Sequence, residues 1–274
     1  MYGMTDFTRE LADTHLPALY TYLMDISYPT ASHFSGYIAK QQYKNPTDFD
    51  TCNLNDLLGP GKSIWTLNAE RPEFATAYRN MLTYYGNAKP SWTDIYPTES
   101  IIDKARLDHP LLVDVAGGIG SDLKRFLTKH PEVPAGSLVL EELPKVLERA
   151  ELPSTIQAQP FDLMKAQPVH GARVYYMHVV LHDWPDHDAV TILQNIVPAM
   201  ERGYSKILIH EVVVASKDAH PFATASDLHM MLVVSGLERS ESRWKEVIEK
   251  AGLRLTKIWS NPDGGESILE VEMH

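Results

Sequence analysis

Along the 274 residues, the spacing of apolar positions changes near residue 110. Before that point apolar side chains recur at helical intervals. Phe74, Tyr78, Met81 and Tyr85 fall three or four apart, which predicts an amphipathic helix over Ala69–Tyr85. The segments YKNPTDFD (43–50) and LGPGK (58–62) carry turn residues. Residues 1–105 therefore read as a helical region with loops and no internal repeat.

Beyond residue 110, short apolar runs alternate with helical ones. LLVDVAG (111–117), SLVLEEL (137–143), a weaker run near Ile156, ARVYYMHVVL (172–181) and SKILIHEVVV (205–214) predict five strands. LRLTKIWS (253–260) and ESILEVEMH (266–274) predict two more. Between them Ser121–Lys129, Pro144–Ala150, Asp188–Glu201 and Arg243–Ala251 read as helices, the second opening on proline and the last closed by Gly252. Strands alternating with helices predict an α/β fold over 106–274. Its seven-stranded sheet is mostly parallel, with helices on both faces.

Composition narrows the function. Apolar residues make up 44% and charged residues 22%, as in an ordinary globular protein. Acids outnumber Lys and Arg by 36 to 25, and no basic run offsets the net charge of −11, so a nucleic-acid partner is not expected. No apolar stretch approaches the ~20 residues that span a bilayer, and the polar N-terminus points to the cytoplasm. Cys52 is the single cysteine, which excludes an intrachain disulfide.

In an open α/β sheet, ligands bind outside the carboxyl ends of the strands. Five successive predicted strand ends deliver polar or glycine sites: Asp114-Val-Ala-Gly117-Gly118-Ile-Gly120, Glu141-Glu142, Phe161-Asp162-Leu163, His182-Asp183-Trp184 and Glu211. A glycine turn alone is more often a plain tight turn. Here it follows an apolar strand and opens a helix, the setting of a nucleoside cofactor. The NAD fingerprint lacks its third glycine, and no Gly-Lys-Ser/Thr completes a P-loop. His178, His182, Asp183, Asp186, His187 and Asp188 cluster in sequence, yet read as a solvated turn and helix cap, so no metal is expected.

DVAGGIG, LVLEELP, FDL, VVLHDWPDHD, LIHE and SGLERSESRW occur in the order found in plant and fungal small-molecule O-methyltransferases. The chain resembles that family, which includes the caffeic acid and flavonoid enzymes, and is most similar to fungal members. The resemblance implies a Rossmann-like class I methyltransferase fold using S-adenosylmethionine, with S-adenosylhomocysteine as product. The acceptor it implies is a small aromatic hydroxyl compound of secondary metabolism. It places Asp114, Gly117, Gly118 and Gly120 at the cofactor, Glu142 on the ribose hydroxyls, and Asp162, Leu163 and the backbone of His178 at the adenine. Trp184 packs near the cofactor or serves as a core aromatic. His182 matches the general base, flanked by Glu211 and Glu238. Glu238 also lies where Ser240 or Ser242 could cap a helix. Met81, Tyr84, Tyr85, Trp92 and Met231 match acceptor-pocket positions, with core packing as the alternative.

Three departures stand out. Ala116 replaces the first glycine of the turn, and Glu142 replaces the more usual aspartate. The family's N-terminal winged-helix dimerisation module lies outside the resemblance. Residues 1–105 then read as a pocket region and a remnant of the dimerisation part, and the expectation of a homodimer is weakened. Two further readings stay open: a cofactor-binding relative catalysing dehydration or pericyclic rearrangement, and a non-catalytic form.

Overall fold

The computed structural model describes residues 3–12, 15–87, 89–106, 108–261 and 265–274. The chain forms two compact units, 1–90 with 226–237 and 91–225 with 238–274.

In the first unit the described elements are helical. The helix predicted over Ala69–Tyr85 is divided into Ile64–Glu70 and Pro72–Asn87. Arg71 between them is extended (φ −122°, ψ 94°). The ring of Pro72 crowds the residue before it out of the helical region, and proline itself suits a first helical position. Phe74 and Met81 are buried with Tyr22, Ile26, Leu54, Leu232 and Val233, while Tyr78 and Tyr85 pack against that core. Leu232 and Val233 come from a helix, Pro221–Val234, that the periodicity did not predict. It is apolar nearly all round, so no polar face marks its period.

The second unit carries all seven predicted strands. They are β1 (Leu112–Val115), β2 (Leu138–Glu142), β3 (Ile156–Pro160), β4 (Val174–His178), β5 (Lys206–Val214), β7 (Leu253–Trp259) and β8 (Glu266–Met273), with a two-residue β6 (Arg239–Ser240) added. The order across the sheet is β3-β2-β1-β4-β5-β8-β7, and β6 pairs with the end of β5. β1 to β5 run parallel, and β8 lies antiparallel between β5 and β7.

Side chains alternate across each strand. Val113, Tyr175, Met177, Ile207 and Ile209 pack on one face with Ile192, Ile196, Trp244 and Ile248. Leu112, Leu140, Val174, Tyr176 and Leu208 pack on the other with Leu123, Phe126 and Trp92. Both faces are covered, which is why the parallel strands read as continuous apolar runs. The strand order reverses between β1 and β4, leaving the crevice where such sheets take ligands. Ser121–Lys129 forms with the predicted bounds, and Glu241–Lys250 begins on Ser240, whose hydroxyl accepts the Arg243 N–H. Among the described residues no helix is long and apolar enough to cross a membrane.

Candidate active site

β1 runs into a turn in which Ala116, Gly118 and Gly120 alternate as left-handed residues, φ +58°, +59° and +76°. Gly117 has no such φ, but a Cβ there would overlap the carboxyl of Asp114. The turn therefore needs a bare backbone directly above that acid. Asp114 is buried, and among the described residues neither of its oxygens has a hydrogen-bond partner. Burial, reinforced by Asp122, pushes its carboxyl well above the usual range.

The two acids ending β2 separate by strand alternation. Glu141 is buried and accepts from Gln167 Nε2 at 2.8 Å. Glu142 turns to the glycine turn: Oε2 accepts the Gly118 N–H (3.2 Å) and Oε1 the Leu143 N–H (2.7 Å). After β3, Asp162 is exposed and accepts the Met164 N–H at 3.0 Å, with Leu163 half-buried beside it. Trp184 is half-buried against the core.

His182 sits on a short 3-10 turn, Leu181–Asp183, just beyond β4. Its imidazole is buried among three carboxylates. Nδ1 is 2.9 Å from Glu238 Oε1 and 3.9 Å from Glu211 Oε2, and Nε2 is 3.6 Å from Asp183 Oδ1. Pairing through Nδ1 leaves Nε2 outside hydrogen-bond range of Asp183. Burial disfavours the imidazolium, but Glu211, Asp183 and Glu238 outweigh it and hold His182 up at about 10. Burial also pushes Glu211 up to about 7 and Asp183 to about 6, each against the pull of His182. Glu211 Oε1 accepts three consecutive backbone N–H groups, from Val180 (2.9 Å), Leu181 (2.7 Å) and His182 (3.3 Å). Val179, before them, is left-handed at φ +56°, its N–H bonded to His210 O at 3.0 Å.

His178 lies apart from His182, in a second charged group. Its Nδ1 meets Asp122 Oδ2 at 2.6 Å, its Nε2 meets Glu266 Oε2 at 3.2 Å, and its ring stacks on His210 at 4.1 Å. Burial opposes the charge on His178, yet Asp122 and Glu266 raise it to about 10; despite burial, His178 holds Asp122 at about 2. Both His178–His210–Glu266 and His182–Glu211–Glu238 gather three potential metal donors within 4.8 Å. In each, a histidine nitrogen lies within hydrogen-bond distance of a carboxylate oxygen.

Sequence reasoning did not single out Asp122, Glu266, His210 or Arg239. Arg239 is fully buried and reaches back to the base turn, donating to Leu181 O (2.8 Å), Trp184 O (2.7 Å) and Asp186 Oδ1 (2.8 Å). The ERS triplet was the available signal for it. Trp92, expected at an acceptor pocket, is a core residue. It is 1% exposed, stacks on Phe126 and lies 4.6 Å from Tyr176, and its indole N–H donates to Asp122 O at 3.2 Å. Met81 belongs to the core of the first unit, where Tyr85 packs against it and Met231 is half-buried.

A glycine turn and an acid at adjacent parallel strand ends, together with a buried histidine ringed by carboxylates, are features a group-transfer enzyme with a nucleoside cofactor would need. Comparison with known proteins narrows it: the O-methyltransferase domain family matches residues 57–254, and the chain belongs to that family. It is 39% identical over 213 residues to O-methyltransferase ATR12 of Stachybotrys chlorohalonatus, covering 78% of this chain and 54% of that protein. The chain thus spans about half the length of that relative. A solved structure of LepI in complex with SAM superposes with a TM-score of 0.90 at 28% identity, covering 98% of this chain and 70% of that one. A structure described as a pericyclic reaction enzyme matches with the same identity, coverage and TM-score.

Proposed function

We propose that the chain binds S-adenosylmethionine at the carboxyl ends of β1 to β4 and methylates a hydroxyl, phenolic in kind, of a small secondary metabolite. The observation that carries this reading is the His182 imidazole, held through Nδ1 by Glu238 and leaving Nε2 for an acceptor. The residues present fit the cofactor. Asp114 offers two unsatisfied buried oxygens beneath a turn that Gly117 keeps bare, and Glu142 can take ribose hydroxyls. Asp162, Leu163 and the backbone of His178 would take the adenine, with Trp184 packing nearby. When bound, S-adenosylmethionine supplies an electrophilic methyl group.

His182 accepts the phenolic proton at Nε2 as the oxygen attacks. A phenol ionises near 10 in water, which matches a base raised to about 10, but only the neutral imidazole accepts the proton, so the rate should climb as pH rises toward 10. Glu238 keeps the ring oriented and balances its positive charge. Glu211 holds the turn through three N–H groups and adds a second, more distant charge.

The test offers S-adenosylmethionine and a panel of phenols and catechols to the chain, with mass spectrometry reading methylated product. His182→Gln should lose about 10²–10⁴-fold in rate while calorimetry shows S-adenosylhomocysteine still bound. Equal turnover by that variant would remove His182 from the mechanism. A second reading has its own support in the match to a pericyclic reaction enzyme and in the raised His182. As an imidazolium, His182 donates a hydrogen bond and activates a substrate without methyl transfer. Substrate isomerised or dehydrated with no gain in methyl mass would favour it.

A further inference from the structure

We propose that Arg239 is a positioning residue for the base, fixing His182 by holding the backbone carbonyls on either side of it. The proposal rests on the methyltransfer reading above. β6 pairs parallel with β5, Val213 opposite Arg239, so Glu238 and Arg239 leave the strand edge close to where Glu211 sits. Glu238 takes the imidazole, while Arg239 takes the backbone.

The turn Leu181–Asp183 makes two long bonds of its own, Asp183 N–H to Val180 O and Trp184 N–H to Leu181 O, both 3.3 Å, and the N–H groups of 180–182 turn to an outside acceptor. Its amide end points at one anion, Glu211, which accepts from residues 180, 181 and 182. Its carbonyls meet one cation: the Arg239 guanidinium donates to Leu181 O, which also accepts the Trp184 N–H at 3.3 Å, and to Trp184 O, on either side of His182-Asp183. Opposite charges at the two ends match the direction of the peptide dipoles. Asp186 orients the guanidinium through Nε, and Arg243 meets the same carboxylate at 2.9 Å. The Trp244 ring lies under it, 5.0 Å from centroid to Cζ. A guanidinium spans three acceptors at once; an ammonium is a point charge and cannot.

The experiment compares the full chain with Arg239→Lys and Asp186→Asn, all checked for folding by circular dichroism and for S-adenosylhomocysteine affinity. A misplacement of ~1 Å costs about 10² in rate. Arg239→Lys should lower kcat by about that factor, leave KM for S-adenosylmethionine within about 2-fold, and shift the His182 ring resonances. Asp186→Asn, which keeps the guanidinium on the carbonyls, should show the same changes in smaller degree. A folded Arg239→Lys with unchanged kcat and unchanged His182 resonances overturns the proposal. Should Arg239→Lys fail to fold, unchanged His182 resonances in Asp186→Asn overturn it. The resonances need no acceptor. If the wild type methylates nothing while they still shift in the variants, the methyltransfer reading falls and the positioning of His182 stands.

Discussion

Replacing Glu238 by glutamine should lower the pKa of His182 by about one to two units, and the structure shows why the drop is no larger. The carboxylate oxygens of Glu238, Asp183 and Glu211 lie 2.9, 3.6 and 3.9 Å from the imidazole nitrogens. At an effective dielectric constant of about 20, one full charge at ~3 Å is worth about 5 kcal/mol. The rise of His182 from 6.5 to about 10 also corresponds to about 5 kcal/mol, the effect of one acid rather than three. Burial consumes part of the remainder. Glu211 and Asp183, pushed up to about 7 and 6, ionise fully only because the imidazolium is there. Glutamine at 238 keeps an acceptor for Nδ1–H and deletes only the charge, while Glu211 and Asp183, ionised over the range in which the ring titrates, still favour the imidazolium. The assay is an NMR titration of the His182 ring without cofactor, assigned by its loss in His182→Gln. The wild type should titrate at about 10 and Glu238→Gln at about 8–9, a change of roughly 1.4–2.7 kcal/mol. Because the unfolded imidazole titrates near 6.5, this contribution to stability is complete below that pH and is lost as pH rises through about 10. A wild-type value near 6.5, or no change in the variant, would refute the charge argument.

Burial pushes Glu141 up to about 7, so the folded state is penalised as pH rises from 4.5 through 7. Urea unfolding should show Glu141→Gln more stable at pH 8 by about 3 kcal/mol and no more stable at pH 4.5; equal stability at pH 8 would show the site accommodates the charge. Ala116 holds a left-handed conformation costing about 1–2 kcal/mol, against about 0.4–1 kcal/mol of extra unfolded-chain entropy for glycine. Ala116→Gly should therefore raise Tm by up to about 3 °C, read by calorimetry, and a fall would mean the methyl packs favourably. Glu142→Ala should weaken S-adenosylhomocysteine binding by about 10–100-fold, the worth of one charged hydrogen bond, measured by titration; an unchanged Kd would move the ribose contact elsewhere.

Positions at or just beyond strand ends were largely legible in the chain. His182 follows an apolar run and lies just beyond β4, whereas Glu211, expected at the end of its strand, lies inside β5, which continues to Val214. Glu141 and Glu142 could be told apart only in the fold, where alternation sends one to Gln167 and the other to the glycine turn. The group around His178 was not legible. Asp122, Glu266 and His210 come from a helix and two further strands, and Glu266 reaches them only because β8 inserts antiparallel beside β5. Arg239 was visible as a letter in ERS, but its partners depend on β6 pairing with β5. Trp92 reads alike as pocket or core from sequence; stacking on Phe126 decides its place.

Val179 gives the base turn an unusual dependence on its surroundings. A β-branched residue at φ +56° works against its own backbone, at a cost of order 1–3 kcal/mol. The conformation that presents His182 is thus imposed from outside, by Glu211, the His210 carbonyl and Arg239, rather than chosen locally. Selection for heat resistance alone would be expected to drift toward glycine at 179, relaxing the peptide while loosening its grip on the imidazole. Valine at 179 thus carries a local strain that glycine would relieve, in exchange for a stiffer backbone before the imidazole.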